Sequence, residues 1–150
     1  MAFDGMLFDD NRVLMLGVVV QHEPEITKEQ LLKTMEAFSF DGGRERAFGL
    51  LVEQAKPIDV DTAHAAIAMF SFDDGRDAAF ATLAKAGSME INERDLLKFV
   101  KLFSFDSGRF KPVKLFADLL QGEATFENAK KLLGEFSFDQ GRLKVVEVMA

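Results

Sequence analysis

The chain has 150 residues, a net charge of −7, 48% hydrophobic and 29% charged residues. That balance suits one folded, soluble domain with a sizeable core and excludes wholesale disorder; the negative charge argues against a nucleic-acid groove. The absence of cysteine excludes disulfides and thiolate metal sites.

The first recognisable unit is Met6-Leu-Phe-Asp-Asp-Asn-Arg12, followed by the apolar run Val13–Val20. Gly17 interrupts that run, which is too short for the roughly 18–20 residues of a membrane span, and the N-terminus lacks the basic region of a signal peptide. Next comes a break at His22-Glu-Pro-Glu25. Thr27 with Gln30 then reads as a capping box, opening a segment with apolar Leu31, Leu32, Met35 and Phe38. At Phe38 the opening unit returns in fuller form, as Phe-Ser-Phe-Asp-Gly-Gly-Arg44.

The same alternation continues to residue 150. Copies of Phe-Ser-Phe-Asp-x-Gly-Arg occupy 38–44, 70–76, 103–109 and 136–142, with the worn copy at 6–12. Their arginines advance in steps of 32, 32, 33 and 33 residues, and a fixed period in this range marks one supersecondary unit stacked on copies of itself.

After each arginine an A segment places apolar residues at offsets +4, +7 and +8. The +4 set is Leu16, Phe48, Phe80, Val113 and Val146. This is one helical stripe. Pro and Gly break each A segment, at Lys56-Pro57-Ile58-Asp59, Lys85-Ala-Gly-Ser88 and Gln121-Gly122-Glu123, and a B segment follows. Asp59 or Asp61, Asn92 and Thr125 are candidate caps for the later B segments. Pro112, three residues after Arg109, predicts that the fourth A helix starts near Arg109 or later. The fold expected is all-α: a right-handed, α-solenoid-like stack of helical hairpins with about nine short helices and no convincing strand, forming one domain over 1–150.

Within the motif, each part has a structural expectation. The Asp (9, 41, 73, 106, 139) lies just before the A helix and can accept from its exposed N–H groups. The alternation of Gly43, Gly75, Gly108 and Gly141 with Asn11 points to a left-handed or otherwise tight backbone. Both phenylalanines are expected to fill the seam between hairpins. The arginine is expected to pin the turn by pairing with its own Asp or with an acid of the next repeat. Arg12, Arg44, Arg76, Arg109 and Arg142 are also the candidate contacts to an anion or a partner, because a regular stack puts them in a row.

This pattern of Phe-x-Phe-Asp-x-x-Arg, preceded by a short capped helix and followed by an apolar one, resembles a widespread family of small helical repeat domains of unknown function. The resemblance covers the whole chain through its five copies. It implies the fold and supplies no catalytic or binding residues.

Three functional classes compete. An EF-hand fails on spacing: a 12-residue loop starting at Asp41 puts Gly43, Arg46 and Val52 where an oxygen ligand, glycine and glutamate are required. An enzyme lacks a recognisable site, because neither His22 nor His64 belongs to a metal or triad motif and no phosphate-binding glycine loop is present. His22 reads as solvated and His64 as a surface or packing residue. The remaining class is a non-catalytic, cytoplasmic protein-interaction or scaffolding module without cofactor or metal, which binds a protein or peptide. The alternative is calcium or anion binding by the repeated Asp/Arg turns. The apolar end segments Val13–Val20 and Leu143–Ala150 do not show the polar face of a capping repeat, which leaves three expectations open: self-association through the terminal helices, a chain cut from a longer array, or ends that fold back and bury themselves.

Overall fold

The computed structural model describes residues 8–149 except 24, 56, 88–90, 117–119 and 122–125. Among them are nine helices: α1 (Asp9–His22), α2 (Lys28–Glu36), α3 (Asp41–Gln54), α4 (Val60–Ala68), α5 (Asp73–Ala86), α6 (Glu93–Val100), α7 (Asp106–Phe116), α8 (Phe126–Gly134) and α9 (Asp139–Met149). The fold is all-α. Odd-numbered helices are the A segments and even-numbered ones the B segments. Thr125, Ala117, Ala150 and the Gly122-Glu123 break lie outside the described residues.

Contacts run between like neighbours. Helix α1 packs on α3, α3 on α5, α5 on α7 and α7 on α9; α2 packs on α4, α4 on α6 and α6 on α8. Three B helices also pack on the A helix that follows them: α2 on α3, α4 on α5 and α6 on α7. The core lies where these faces meet. Its largest side chains are phenylalanines, with Phe38, Phe70, Phe103 and Phe136 from the motifs and Phe48, Phe80 and Phe99 from the helices. Phe80 meets Phe99 edge to face at 4.8 Å and Phe103 at 5.7 Å. Aromatic rings of this kind bury about 150–250 Å² each. The +4 stripe behaves as its spacing predicts in four copies: Leu16, Phe48, Phe80 and Val113 are buried, whereas Val146 is exposed.

The B helices start where local chemistry says they should. Thr27 and Gln30 form a reciprocal capping box, Asn92 and Asp95 form another, and Asp59 accepts from the Thr62 N–H at 2.7 Å. Each B helix ends in a tightened turn. The N–H of Phe38, Phe70, Phe103 and Phe136 donates to the carbonyl three residues back, at 3.1–3.2 Å. His22 is exposed, and the His64 ring lies 6.0 Å from that of Phe99.

Two expectations are corrected here. The A helices begin at the motif Asp itself, with the second Phe as N-cap, so Asp-x-Gly-Arg is the first helical turn and not a connector. Helix α7 accordingly starts at Asp106 and carries Pro112 inside it. The proline removes the N–H that would have reached the Gly108 carbonyl and sets its ring against that carbonyl, and the residue is buried. The second correction is a minimal parallel pair, β1 (Ile91–Asn92) with β2 (Leu120–Gln121), which joins two successive A-to-B connections. Both strands are too short to carry a strand-length alternation in sequence.

Replacing Asn92 by Ala removes a cap whose oxygen lies 2.9 Å from the Asp95 N–H. The expected cost is about 1 kcal/mol, read as a lower urea midpoint with an unchanged slope.

Candidate functional site

The motif aspartate reaches across the seam to the next repeat. Asp9 accepts from the backbone N–H of Ser39 and of Phe40, each at 2.9 Å. Asp41 does the same for Ser71 and Phe72, Asp73 for Ser104 and Phe105, and Asp106 for Ser137 and Phe138, all with a shortest bond of 2.8–2.9 Å. These N–H groups belong to the extended Ser-Phe pair before each A helix, whose donors have no helical partner. The expectation that each Asp caps its own helix is therefore corrected. The phenylalanine N-caps of α1, α3 and α5 make no side-chain cap bond, and the aspartate serves the turn one repeat further on.

The arginine holds that aspartate in place. Arg12, Arg44, Arg76 and Arg109 each donate from Nη1 to the Asp three residues earlier, at 2.7–3.0 Å. Arg44, Arg76 and Arg109 also donate from Nη2 to the carbonyl of their own motif serine, at 3.1–3.4 Å. Arg12 crosses the seam to the Ser39 hydroxyl at 3.1 Å, and Arg109 to that of Ser137 at 3.4 Å. The row of arginines exists, but in these four copies the guanidinium groups bond the turns through their terminal nitrogens and are largely buried, the Nε of Arg12 and of Arg76 without a hydrogen-bond partner.

Electrostatics follow the same geometry. Partial burial pushes the Asp9 and Asp106 carboxyls up, yet both end below the ordinary carboxylate range. The two backbone N–H donors and the paired arginine outweigh the loss of water. Among the described residues no group of three or more His, Asp or Glu side chains could hold a metal ion.

The glycines serve close approach, not a left-handed backbone. The sole positive-φ residue among those described is Gly87, outside the motif. A Cβ at Gly43 would lie 2.5 Å from the Asp9 carboxylate, one at Gly75 2.9 Å from that of Asp41, and one at Gly108 2.7 Å from that of Asp73. At Gly75 and Gly108 it would also meet the motif's own first Phe, at 2.6 and 2.7 Å. Asn11 stands in the one copy whose seat receives no aspartate among the described residues.

The two phenylalanines of the motif part company. The first is buried in each of the four full copies; Met6, its counterpart in the worn copy, lies outside the described residues. The second is not a seam filler at all: Phe8, Phe40, Phe72, Phe105 and Phe138 are 68%, 73%, 71%, 70% and 71% exposed. The latch bonds their backbone N–H groups and leaves the rings in solvent. Five aromatic rings thus recur at the N-cap of successive A helices along one edge. One sequence signal separated the pair: the worn copy keeps Phe8 and replaces the first Phe by Met6. A core position tolerates that exchange, whereas the exposed position is Phe every time.

Next to this row, between α7 and α9, lies an open groove of about 520 Å³ lined by Ser107, Phe110, Lys111, Lys114, Phe138 and Lys144. The Lys144 ammonium sits 5.8 Å over the Phe110 ring, and Lys111 pairs with Asp77 at 3.0 Å. Asp106 also lines the groove, and with Lys111 paired to Asp77 the cationic side chains left over are Lys114 and Lys144.

Gly75→Ala should destabilise by about 1–3 kcal/mol through overpacking. Gly49→Ala, where nothing lies within 4 Å, should instead gain up to about 1 kcal/mol from helix propensity. Paired urea titrations check the opposite signs. Because the folded carboxyls of Asp9 and Asp106 titrate below their unfolded values, their contribution is complete above the unfolded pKa of about 4 and falls as pH drops toward the folded values. Asp106→Asn should therefore flatten the loss of stability on acidification, measured by thermal melts from neutral to acid pH.

No family model matches the chain, and neither comparison with curated proteins nor comparison with solved structures returned a match.

Proposed function

We propose that this chain is a non-catalytic protein-interaction module, a right-handed α-solenoid-like stack whose partner lies along the row of exposed second phenylalanines. One observation carries the reading: Phe8, Phe40, Phe72, Phe105 and Phe138 repeat at one structural position, each about 70% exposed, although the fold supplies a buried seat for the other Phe of the same motif. A recurring set of exposed aromatic rings is the kind of surface that partners cover. Packed helices lie about 8–10 Å apart, so a ring is offered roughly every third residue of an extended peptide. Lys114 and Lys144 in the groove that Phe138 lines favour a segment that combines apolar and acidic side chains. Among the described residues no helix is long and apolar enough to cross a membrane; a cytoplasmic site of action belongs to the proposal.

The calcium or anion alternative has less support. Both oxygens of Asp9, Asp41, Asp73 and Asp106 already accept hydrogen bonds across the seam or from arginine, and a metal would have to displace these. The four latch arginines are likewise engaged.

The triple variant Phe40→Ser, Phe72→Ser, Phe105→Ser should keep the wild-type melting behaviour, because none of these rings is in the core. Peptides selected on the wild-type chain from a random display library should be apolar and acidic, and should bind the triple variant at least tenfold more weakly, or about 1.4 kcal/mol. Equal binding to both proteins would overturn the assignment of the edge.

A further inference from the structure

Beside the latches, the A helices carry a second set of charges whose pairing runs backwards along the stack. Two positions after the motif arginine stand Arg46 and Lys111. Arg46 reaches back to Asp10 on α1 at 2.8 Å, and Lys111 to Asp77 on α5 at 3.0 Å. Both cations stay about half exposed, at 54% and 45%, although a further A helix packs beyond each of them. They lie on the open side of the seam and not in the face that a following helix covers.

Lys144 holds the same position on α9, but the two slots behind it differ. Where α1 has Asp10, α7 has Ser107; where α5 has Asp77, α7 has Phe110. The ammonium therefore stands 5.8 Å over the Phe110 ring instead of on a carboxylate. A ring face attracts the cation while leaving it donors for an oxygen acceptor. Lys114 brings a second ammonium to the same groove, at a position filled by Gly49 in α3 and Ala81 in α5. Asp106, the acid that lines this groove, already accepts from the N–H groups of Ser137 and Phe138 and from Arg109. Among the described residues neither Lys114 nor Lys144 pairs with a carboxylate. The α3–α5 seam is the reverse case, with the acid Glu45 and with Ala78 where a cation stands elsewhere.

We propose that the groove between α7 and α9 seats a carboxylate side chain of the extended segment bound along the phenylalanine row, and that this one seat fixes the segment's register and direction. Lys114 and Lys144 take the carboxylate, and Phe110 and Phe138 take the apolar residue beside it. The inference rests on the row as the docking edge, and Phe138 belongs to both. Elsewhere along the row an acid meets cations that are already paired, or Glu45, so a segment bound in another register gives up its ion pairs. The segment therefore lies with its acidic end at α7 and α9 and its apolar side chains toward α3.

The probes are peptides selected on the full wild-type chain from a random display library, each compared with the analogue whose Asp or Glu is replaced by Asn or Gln. Acidic residues should cluster at one end of the apolar ones. The acidic form should bind roughly three- to fivefold more tightly than its analogue at low salt, and the difference should close at high salt. Lys114→Gln with Lys144→Gln, both exposed side chains, should bring that ratio to about one. Lys33→Gln with Lys98→Gln removes the same charge from α2 and α6 and should leave the ratio unchanged. Phe110→Asp refills the slot that Asp77 fills behind Lys111 and should also lower it. Phe110 packs against the core, so the lysine pair carries the comparison if that variant unfolds. A ratio that survives loss of both lysines, or acids scattered along the selected peptides, would overturn the proposal even where the triple Phe→Ser variant weakens binding. Equal binding to that triple variant, or a library that yields no binder, would remove the docking edge and this proposal with it.

Discussion

The structure hangs on a carboxylate that bonds forward by one repeat. A helical hairpin of some thirty residues cannot bury its own apolar face, so its stability comes from its neighbours. Hydrophobic contact alone would allow neighbouring A helices to slide or rotate against each other. The aspartate removes that freedom by accepting two adjacent backbone N–H groups, which exist only at one place in the next turn. A charged acceptor for backbone donors in a largely buried setting is among the stronger hydrogen bonds available to a protein. Arginine, glycine and buried phenylalanine then read as consequences. The arginine fixes the carboxylate, the glycine gives it room, and the phenylalanine packs where that glycine lacks a side chain.

This interaction also divides the motif's residues by what they leave over. Ser, Asp, Gly and Arg are consumed in the seam, and with them most of the polar chemistry that first looked like a site. What remains is apolar and outward: the ring whose backbone is bonded and whose side chain is not. The functional reading moves accordingly from the arginine row, which is buried in hydrogen bonds, to the phenylalanine row.

Much of the architecture was legible because it is local. The A and B segments show a helical period, and Thr27, Asp59 and Asn92 sit at fixed offsets from the apolar runs they start. The steps between arginines announce the repeat without any structure. What misled was non-local. Asp41 looks like a cap for the helix it begins, and only the neighbouring turn shows that its partners are Ser71 and Phe72. Gly75 looks like a turn residue, but its reason lies on Asp41, about thirty positions earlier. Phe38 and Phe40 are two residues apart and identical in kind, yet one is core and the other surface. Composition cannot separate them, and the distinction rests on which backbone groups the preceding repeat holds.

The two edges of the stack tolerate change in chain length differently. On one edge the turn from buried Phe to Asp is four residues in every full copy, and each is tied to the aspartate behind it. On the other edge the A-to-B connections span 23–27, 55–59 and 87–92, so the extra residue of the longer period is taken up there. Neighbours on that side are joined by contacts as slight as the two-residue pair of β1 and β2. An inserted loop or graft on the A-to-B edge would leave the spacing of the latches intact. One extra residue between Phe38 and Asp41 would shift a donor pair off its acceptor. The fold thus has one edge that behaves as a ruler and one that can accommodate cargo.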